Sequence, residues 1–187
     1  MSKIILQDIR GSYVFVNEQR KSNEDGSPGG YGMQIIVEKG SDQHKKMMKI
    51  VDQVLVSKFG QDALKKKARF KLPLRDGDEE RDGEEYENMI FFNANSKVKK
   101  PGIVNRNNEP ADQADIEEYC YSGAYFHASV SFYAFDAKSG GKQGVAVGLN
   151  NIMLKSKGDR LDGSVSAKSE FSSFTDVSDK FEDEIEF

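Results

Sequence analysis

Tyr125, His127, Ser129, Ser131, Tyr133 and Phe135 occupy alternate positions of one extended run, so flat rings and small hydroxyls share one side of it. The intervening Phe126, Ala128, Val130, Phe132 and Ala134 are all apolar and mark the core side. Rings with little bulk between them are what unpaired bases stack on. The competing reading is that a helix or loop covers these rings as a minor core. Cations for phosphates lie close by in sequence: Lys97, Lys99, Lys100 and Arg106, and the run Lys65, Lys66, Lys67, Arg69 and Lys71. Charge for the backbone beside rings for the bases is the combination a single-stranded nucleic acid requires. Lys65 to Lys67 can equally be the solvated end of a helix.

Other chemistry is thin. Asp76, Asp78, Glu80, Asp82 and Glu87 fall at positions one, three, five, seven and twelve of a calcium loop, but Arg81 stands where the sharp turn needs glycine. Residues 76–87 therefore read as a flexible polar loop and not a metal site. Cys120 and His127 are seven apart with no Asn or Asp partner marked out, and a buried structural cysteine is the stronger reading. One cysteine forms no intrachain disulfide, and two histidines far apart make no metal pair. No nucleotide-binding glycine loop or nucleophile elbow is present. The expectation is a protein that is not an enzyme, with no catalytic residues, no metal and no cofactor.

The C-terminus is a second pointed feature. Phe181, Ile185 and Phe187 are set among Glu182, Asp183, Glu184 and Glu186. A solubilising tail needs only carboxylates. With the rings added, Phe181, Glu184, Ile185, Glu186 and Phe187 read as a short docking motif, an aromatic and a terminal carboxylate for one pocket with acids for a basic rim.

The elements that must position these groups follow from period and breakers. The 187 residues suit one domain and a tail, and a mean hydropathy of -0.66 says much of the chain is solvated. No apolar run approaches a membrane span, so a soluble protein of a reducing cytoplasm is expected. The net charge of -4 hides segregation: residues 1–74 carry 14 basic and 8 acidic side chains, residues 75–87 carry 2 and 8, residues 88–168 carry 10 and 8, and residues 169–187 carry 1 and 7. Two acidic blocks thus mask a basic body, which suits a polyanion partner. Strands are expected over 4–16, 31–38, 89–95, 125–136 and 144–155, with a hairpin loop at 138–142. A helix starts at the N-cap Ser41, carries Met47, Met48, Val51, Val54, Leu55 and Phe59 on one face, and stops at Gly60. A further helical turn is expected over 112–118. One main helix is too few for a doubly wound sheet. The fold expected is mainly β (α+β): an OB-like barrel of five to six strands with one main helix over residues 1–165, and a disordered acidic tail over 166–187.

Four stretches in order carry a family resemblance: Leu72-Pro73-Leu74-Arg75-Asp76-Gly77-Asp78, Lys100-Pro101-Gly102-Ile103-Val104, Tyr121-Ser122-Gly123-Ala124-Tyr125 and Gly144-Val145-Ala146-Val147-Gly148-Leu149-Asn150-Asn151. Over about residues 3–165 the chain resembles bacteriophage single-stranded DNA-binding proteins with an OB fold. Its tail resembles the acidic, Phe-terminated tails of phage and bacterial single-stranded DNA-binding proteins, although Glu186 stands where the bacterial tail typically has proline. The resemblance implies phage DNA replication, recombination or repair in a bacterial host cytoplasm, with a polymerase, helicase or recombinase recruited by the tail; a homodimer is left open. The DNA groove expected is edged by Lys97, Lys99, Lys100 and Arg106, with Arg69 and Lys71 adding charge, Tyr125, Tyr133 and Phe135 stacking and His127 assisting. Two other readings stand beside it: a protein-interaction or virion-assembly module without nucleic-acid binding, and a metal-dependent nuclease using the carboxylates of residues 76–87.

Overall fold

Strand β1 (Ser2–Phe15) is long enough to serve two neighbours in turn, and it bends twice to do so. Its first part pairs antiparallel with β6 (Tyr125–Phe135), and its second part, from Arg10 on, with β2 (Tyr31–Glu38). Each bend is a bulge at a residue with positive φ, Asp8 at 49° and Tyr13 at 47°. An extra residue on one strand sharpens the local twist and turns the sheet towards closure. β2 pairs with β4 (Met89–Ser96), β6 pairs with β7 (Gly144–Ser156), and β4 meets β7 in parallel at Ala94↔Val147 and Asn95↔Gly148. Five strands in the cyclic order β4-β2-β1-β6-β7 thereby close a barrel, and β3 (Arg75–Asp76) and β5 (Gly102–Val104) add short strands to β4 and β7. The chain is an OB-like, mainly β barrel, as its sequence predicts.

The computed structural model describes residues 2–22, 24, 26–27, 29–97, 99–137, 141–161 and 163. The proposed docking residues Phe181, Glu184, Ile185, Glu186 and Phe187, and the tip of the 138–142 hairpin, lie outside the described residues.

Inward side chains from every barrel strand fill the interior, among them Leu6, Ile35, Phe92, Phe126, Phe132 and Leu154, all buried. Helix α1 (Asp42–Phe59) plugs the barrel with Met47, Val51, Val54 and Leu55. Its start and stop are the ones read from sequence: Ser41 Oγ accepts the His44 N–H at 3.2 Å, and Gly60, at φ 81°, returns its N–H to Val56. Met48, expected on the apolar face, is instead exposed, and Ile50 is the residue that turns inward. Gly11 lies where β1 crosses the core. A Cβ there would come 2.6 Å from both Met33 Cε and the Phe126 ring. After α1, α2 (Asp62–Lys65) and a 3-10 turn at Lys67–Arg69 carry the basic run, and α4 (Gln113–Tyr119) opens on a capping box made by Asp112 and Asp115.

Residues 76–87 correct the expectation of a flexible loop. They fold as α3 (Gly77–Glu80) and a 3-10 turn at Glu84–Tyr86 against the outer face of β2 and β4. Tyr86 is buried with Ile36 and Phe91, edge-on to Phe91 at 5.3 Å, and its hydroxyl donates to Gln34 Oε1 at 2.6 Å. The guanidinium of Arg81 lies over both rings, and Arg75 lies over Phe91 at 4.8 Å. Asp78 accepts the Asn88 N–H at 2.8 Å and the Lys39 ammonium at 3.0 Å. Eight carboxylates dominate the composition of this block, yet one tyrosine decides its structure, because two apolar side chains on the outside of the barrel wait for it.

Two stability predictions follow from this packing. Phe126→Ala empties the centre of the core, with an expected loss of about 3–5 kcal/mol in urea unfolding. The Asn88 N–H and the Lys39 ammonium hold the Asp78 carboxyl below its ordinary value of 3.8. A depressed carboxyl stabilises the fold above that value and loses the contribution as pH falls through it. The stability difference between wild type and Asp78→Asn should therefore be present at pH 7 and vanish towards pH 2.

Candidate nucleic-acid interface

Register places three rows of outward side chains across β1, β2 and β4. Arg10, Ile36 and Phe91 form one row, of which Ile36 and Phe91 are covered by Tyr86 and its neighbours. Ser12, Gln34 and Asn93 form the next, and Phe15, Gly32 and Asn95 the third. Asn93 and Asn95 are exposed, as are Tyr13 at 56% and Phe15 at 39%. A bulky residue with positive φ is an outlier that needs tertiary support, and here the bulge turns the Tyr13 ring into solvent. Arg20 is pinned over this face. Its backbone N–H bonds to Gly30, its Nη1 donates to Asn95 Oδ1 at 2.9 Å, and its guanidinium carbon lies 5.6 Å from the centre of the Phe15 ring. Burial lowers the Arg20 pKa from its ordinary value, and the group remains a cation at neutral pH. Gly32 leaves the room: a Cβ there would stand 2.5 Å from Asn95 Oδ1 and 3.0 Å from Arg20 Nη2.

The lysines at the end of β4 border the same face. Lys97, Lys99 and Lys100 are exposed; Lys100 Nζ donates to Asn17 Oδ1 at 2.7 Å, and Ser96 Oγ donates to the Lys99 carbonyl at 2.5 Å. Three residues picked from sequence thus meet two rings and an arginine that sequence reading did not single out.

The aromatic face of β6 is divided. Among the described residues β1 begins at Ser2, which pairs with Phe132, and there Tyr133 and Phe135 pair with β7 and not β1, opposite Ala146 and Gly144. Outside β7, Gly144, Ala146 and Gly148 raise almost no bulk. The Tyr133 ring lies 3.6 Å from the position of a Cβ on Gly148, and Gly148 is paired with Asn95. Lys71 bridges to Gly144 from the other side, its carbonyl accepting the Val145 N–H at 3.0 Å, with Arg69 just before it. Lys71, Phe135 and Tyr133 therefore share the seam of the barrel that leads to Asn95. Tyr125 and His127 sit elsewhere. His127 Nδ1 accepts the N–H of the bulge residue Asp8 at 3.0 Å, and Tyr125 lies beneath Arg10 at 5.9 Å. Ser129 and Ser131 receive Asn150 Nδ2 at 3.4 and 2.9 Å. Arg106 is engaged with Tyr119, 4.9 Å from its ring centre, beside β5. Val104 aligns with Met153 and Tyr133 with Ala146, which separates the two groups by roughly 23 Å at about 3.3 Å per residue along β7.

Burial pushes the Cys120 thiol up to about 11 and lowers His44, whose Nδ1 accepts the Gly40 N–H. Among the described residues no group of His, Cys, Asp and Glu is placed to hold a metal ion. What the outer face offers is flat rings, side-chain amides and cations on a shallow, open surface.

Residues 2–183 match the family described as the ssDNA-binding protein of Enterobacter phage Enc34. The chain belongs to this family. The solved Enc34 single-stranded DNA-binding protein in complex with ssDNA superposes with a TM-score of 0.66 at 20% identity, covering 85% of this chain and 89% of that one. Bacteriophage T7 gp2.5, a single-stranded DNA-binding protein, superposes with a TM-score of 0.60 at 9% identity, over 97% of this chain and all of that one. At those identities the likeness is one of fold. Protein p50 of Acyrthosiphon pisum secondary endosymbiont phage 1 is 35% identical over 113 residues, 60% of this chain, and this chain spans only 56% of that protein's length.

The raised Cys120 pKa leaves only about one thiol in a thousand ionised at pH 8. Alkylation by iodoacetamide, followed by mass spectrometry, should be at least 100-fold slower in the folded protein than in 8 M urea, which would exclude a thiolate nucleophile.

Proposed function

We propose that this protein binds single-stranded DNA without sequence preference and acts in phage DNA replication, recombination or repair in the bacterial host cytoplasm. The observation that carries the reading is the open outer face of β1, β2 and β4, where Tyr13, Phe15 and Arg20 stand beside Lys97, Lys99 and Lys100 in a member of this family. Bases stack on Tyr13 and Phe15, Asn93 and Asn95 offer hydrogen bonds that suit any base, and the lysines take phosphates. The strand continues over Gly148 and Ala146 to Tyr133 and Phe135, with Lys71 and Arg69 as its second cationic border. His127 and Tyr125 support the β1 bulge and its neighbourhood instead, and Arg106 lies off this track. Residues 169–187, with seven acidic side chains against Lys180, compete for the lysines when DNA is absent and offer Phe181, Glu184, Ile185, Glu186 and Phe187 to a polymerase, helicase or recombinase when it is present.

Fluorescence anisotropy of labelled oligo-dT across a salt series tests this. Phe15→Ala and Tyr13→Ala should each weaken binding by about 5- to 150-fold, the equivalent of about 1–3 kcal/mol per stacked base. Lys97→Ala with Lys99→Ala should lower the slope of log affinity against log salt by about 1.4. Deleting residues 169–187 should tighten binding at low salt. Absence of salt-sensitive binding in the full-length protein overturns the reading.

A further inference from the structure

Strand β1 keeps one edge open. Both backbone groups of Gln7 turn away from β6: its N–H donates to Gln43 Oε1 at 2.7 Å, and its carbonyl accepts from Gln43 Nε2 at 2.9 Å. The side chain of Gln43 thus takes the place of one residue of a neighbouring strand. In an antiparallel ladder alternate residues direct both backbone groups to the same edge. The N–H and C=O groups of Lys3 and Ile5 therefore point the way those of Gln7 do. β2 joins β1 only from Arg10 onward, and among the described residues no strand pairs with this edge. Ile5, at 64%, is the most exposed large apolar side chain of the described residues.

The open edge forms one wall of a groove of about 670 Å3, which runs between β1, the end of β2, the start of α1 and the folded 76–87 block. Its charge is one-sided. Asp8, Glu38, Asp42, Glu84 and Glu85 line it, against Arg10 and Lys46. Arg10 is tied to the carbonyls of Gly123 and Asp159, and Asp8 is paired with Lys155 at 3.5 Å. The carbonyls leave the Arg10 charge intact, so Glu38, Asp42, Glu84 and Glu85 face two cations, Arg10 and Lys46, and the groove stays net acidic. Such walls repel DNA and the chain's own acidic C-terminal residues, and they attract cations.

We propose that this groove takes an extended segment of a partner protein, with lysine or arginine alternating with apolar residues, added as a strand to the edge of β1 at Lys3 and Ile5. Main-chain bonds to Lys3 and Ile5 give the affinity of strand addition, the Ile5 side chain covers the apolar positions, and the glutamates select the cations. The 76–87 block stands between this groove and Asn93 and Asn95, so the polyanion and the cationic strand occupy separate faces.

Fluorescence polarisation of a labelled, end-capped peptide of four Val-Lys repeats against the full-length protein tests the proposal. Saturable binding is expected, weakened at least ten-fold by Glu84→Lys with Glu85→Lys and by Ile5→Asp. N-methylation of the peptide's alternate amides should weaken binding at least ten-fold in one phase and leave it within two-fold in the other, since only one set meets β1. Attraction to the C-terminal acids alone would survive both phases and the Glu84→Lys, Glu85→Lys exchange, and that result overturns the proposal, as does absence of binding. A dimer in sedimentation equilibrium that Ile5→Asp abolishes also overturns it, in favour of a second copy of this chain as the occupant. The DNA-binding reading is unaffected by any of these outcomes.

Discussion

The rest of the structure hangs on how one strand bends. β1 must pair with β6 at one end and β2 at the other, and a straight strand cannot wrap a barrel of five. Asp8 and Tyr13, both with positive φ, absorb the turn. The first bulge is held from outside, by a ring nitrogen of His127 on its amide. The second swings Tyr13 off the sheet and delivers Phe15 opposite Gly32, where Arg20 lies over it. Because β1 has turned away from β2 before Arg10, it leaves both the covered row at Ile36 and Phe91 and the uncovered edge at Lys3 and Ile5. Interface, cover and groove are three results of one backbone path.

Local patterns were readable where a single element decides them. The apolar run over 31–38, the returning strand over 144–155 and the spacing from Ser41 to Gly60 yield strands and a helix that match the observed bounds to within a residue, since composition, breakers and a capped end act within the element. The barrel itself was legible from element count. The candidate site was half legible. Lys71, Tyr133 and Phe135 share the barrel seam, and Lys97, Lys99 and Lys100 border the face towards its other end, but which residues stand level across strands depends on pairings between distant segments. The run from Tyr125 to Phe135 looks uniform, and its partners divide it: among the described residues Tyr125 and His127 lie against β1, and Tyr133 and Phe135 pair with β7. Tyr13 and Phe15 were hidden by the bulge, which breaks the alternation that would have flagged them. The 76–87 block misled because eight carboxylates outweigh one tyrosine in composition while Tyr86 outweighs them in burial.

Charge is sorted by face as well as by sequence. The net value of -4 describes neither the cationic border of Arg20, Lys97, Lys99 and Lys100 nor the acidic walls at Glu38, Asp42, Glu84 and Glu85. Between them Arg75, paired with Glu80, and Arg81 lie over Phe91 and Tyr86 on the part of the sheet they cover. A polyanion approaching this surface meets attraction on one side of this covered part and repulsion on the other, so its course is set by exclusion as much as by contact.

The barrel closes where β4 meets β7 through two residue pairs about fifty positions apart in the chain. Parallel pairing needs a long connection, and a joint of only two pairs gains little for the loop it closes, so it is expected among the late events of folding. The same seam is the least secured part of the finished wall, two pairs against the long ladders that flank it. Its opening is therefore a natural first step of unfolding, and a strand of DNA laid from Asn95 across Gly148 to Tyr133 would act as a brace over that joint. Occupancy would then lengthen the lifetime of the closed barrel, so that resistance to proteolysis would rise with the length of the lattice bound.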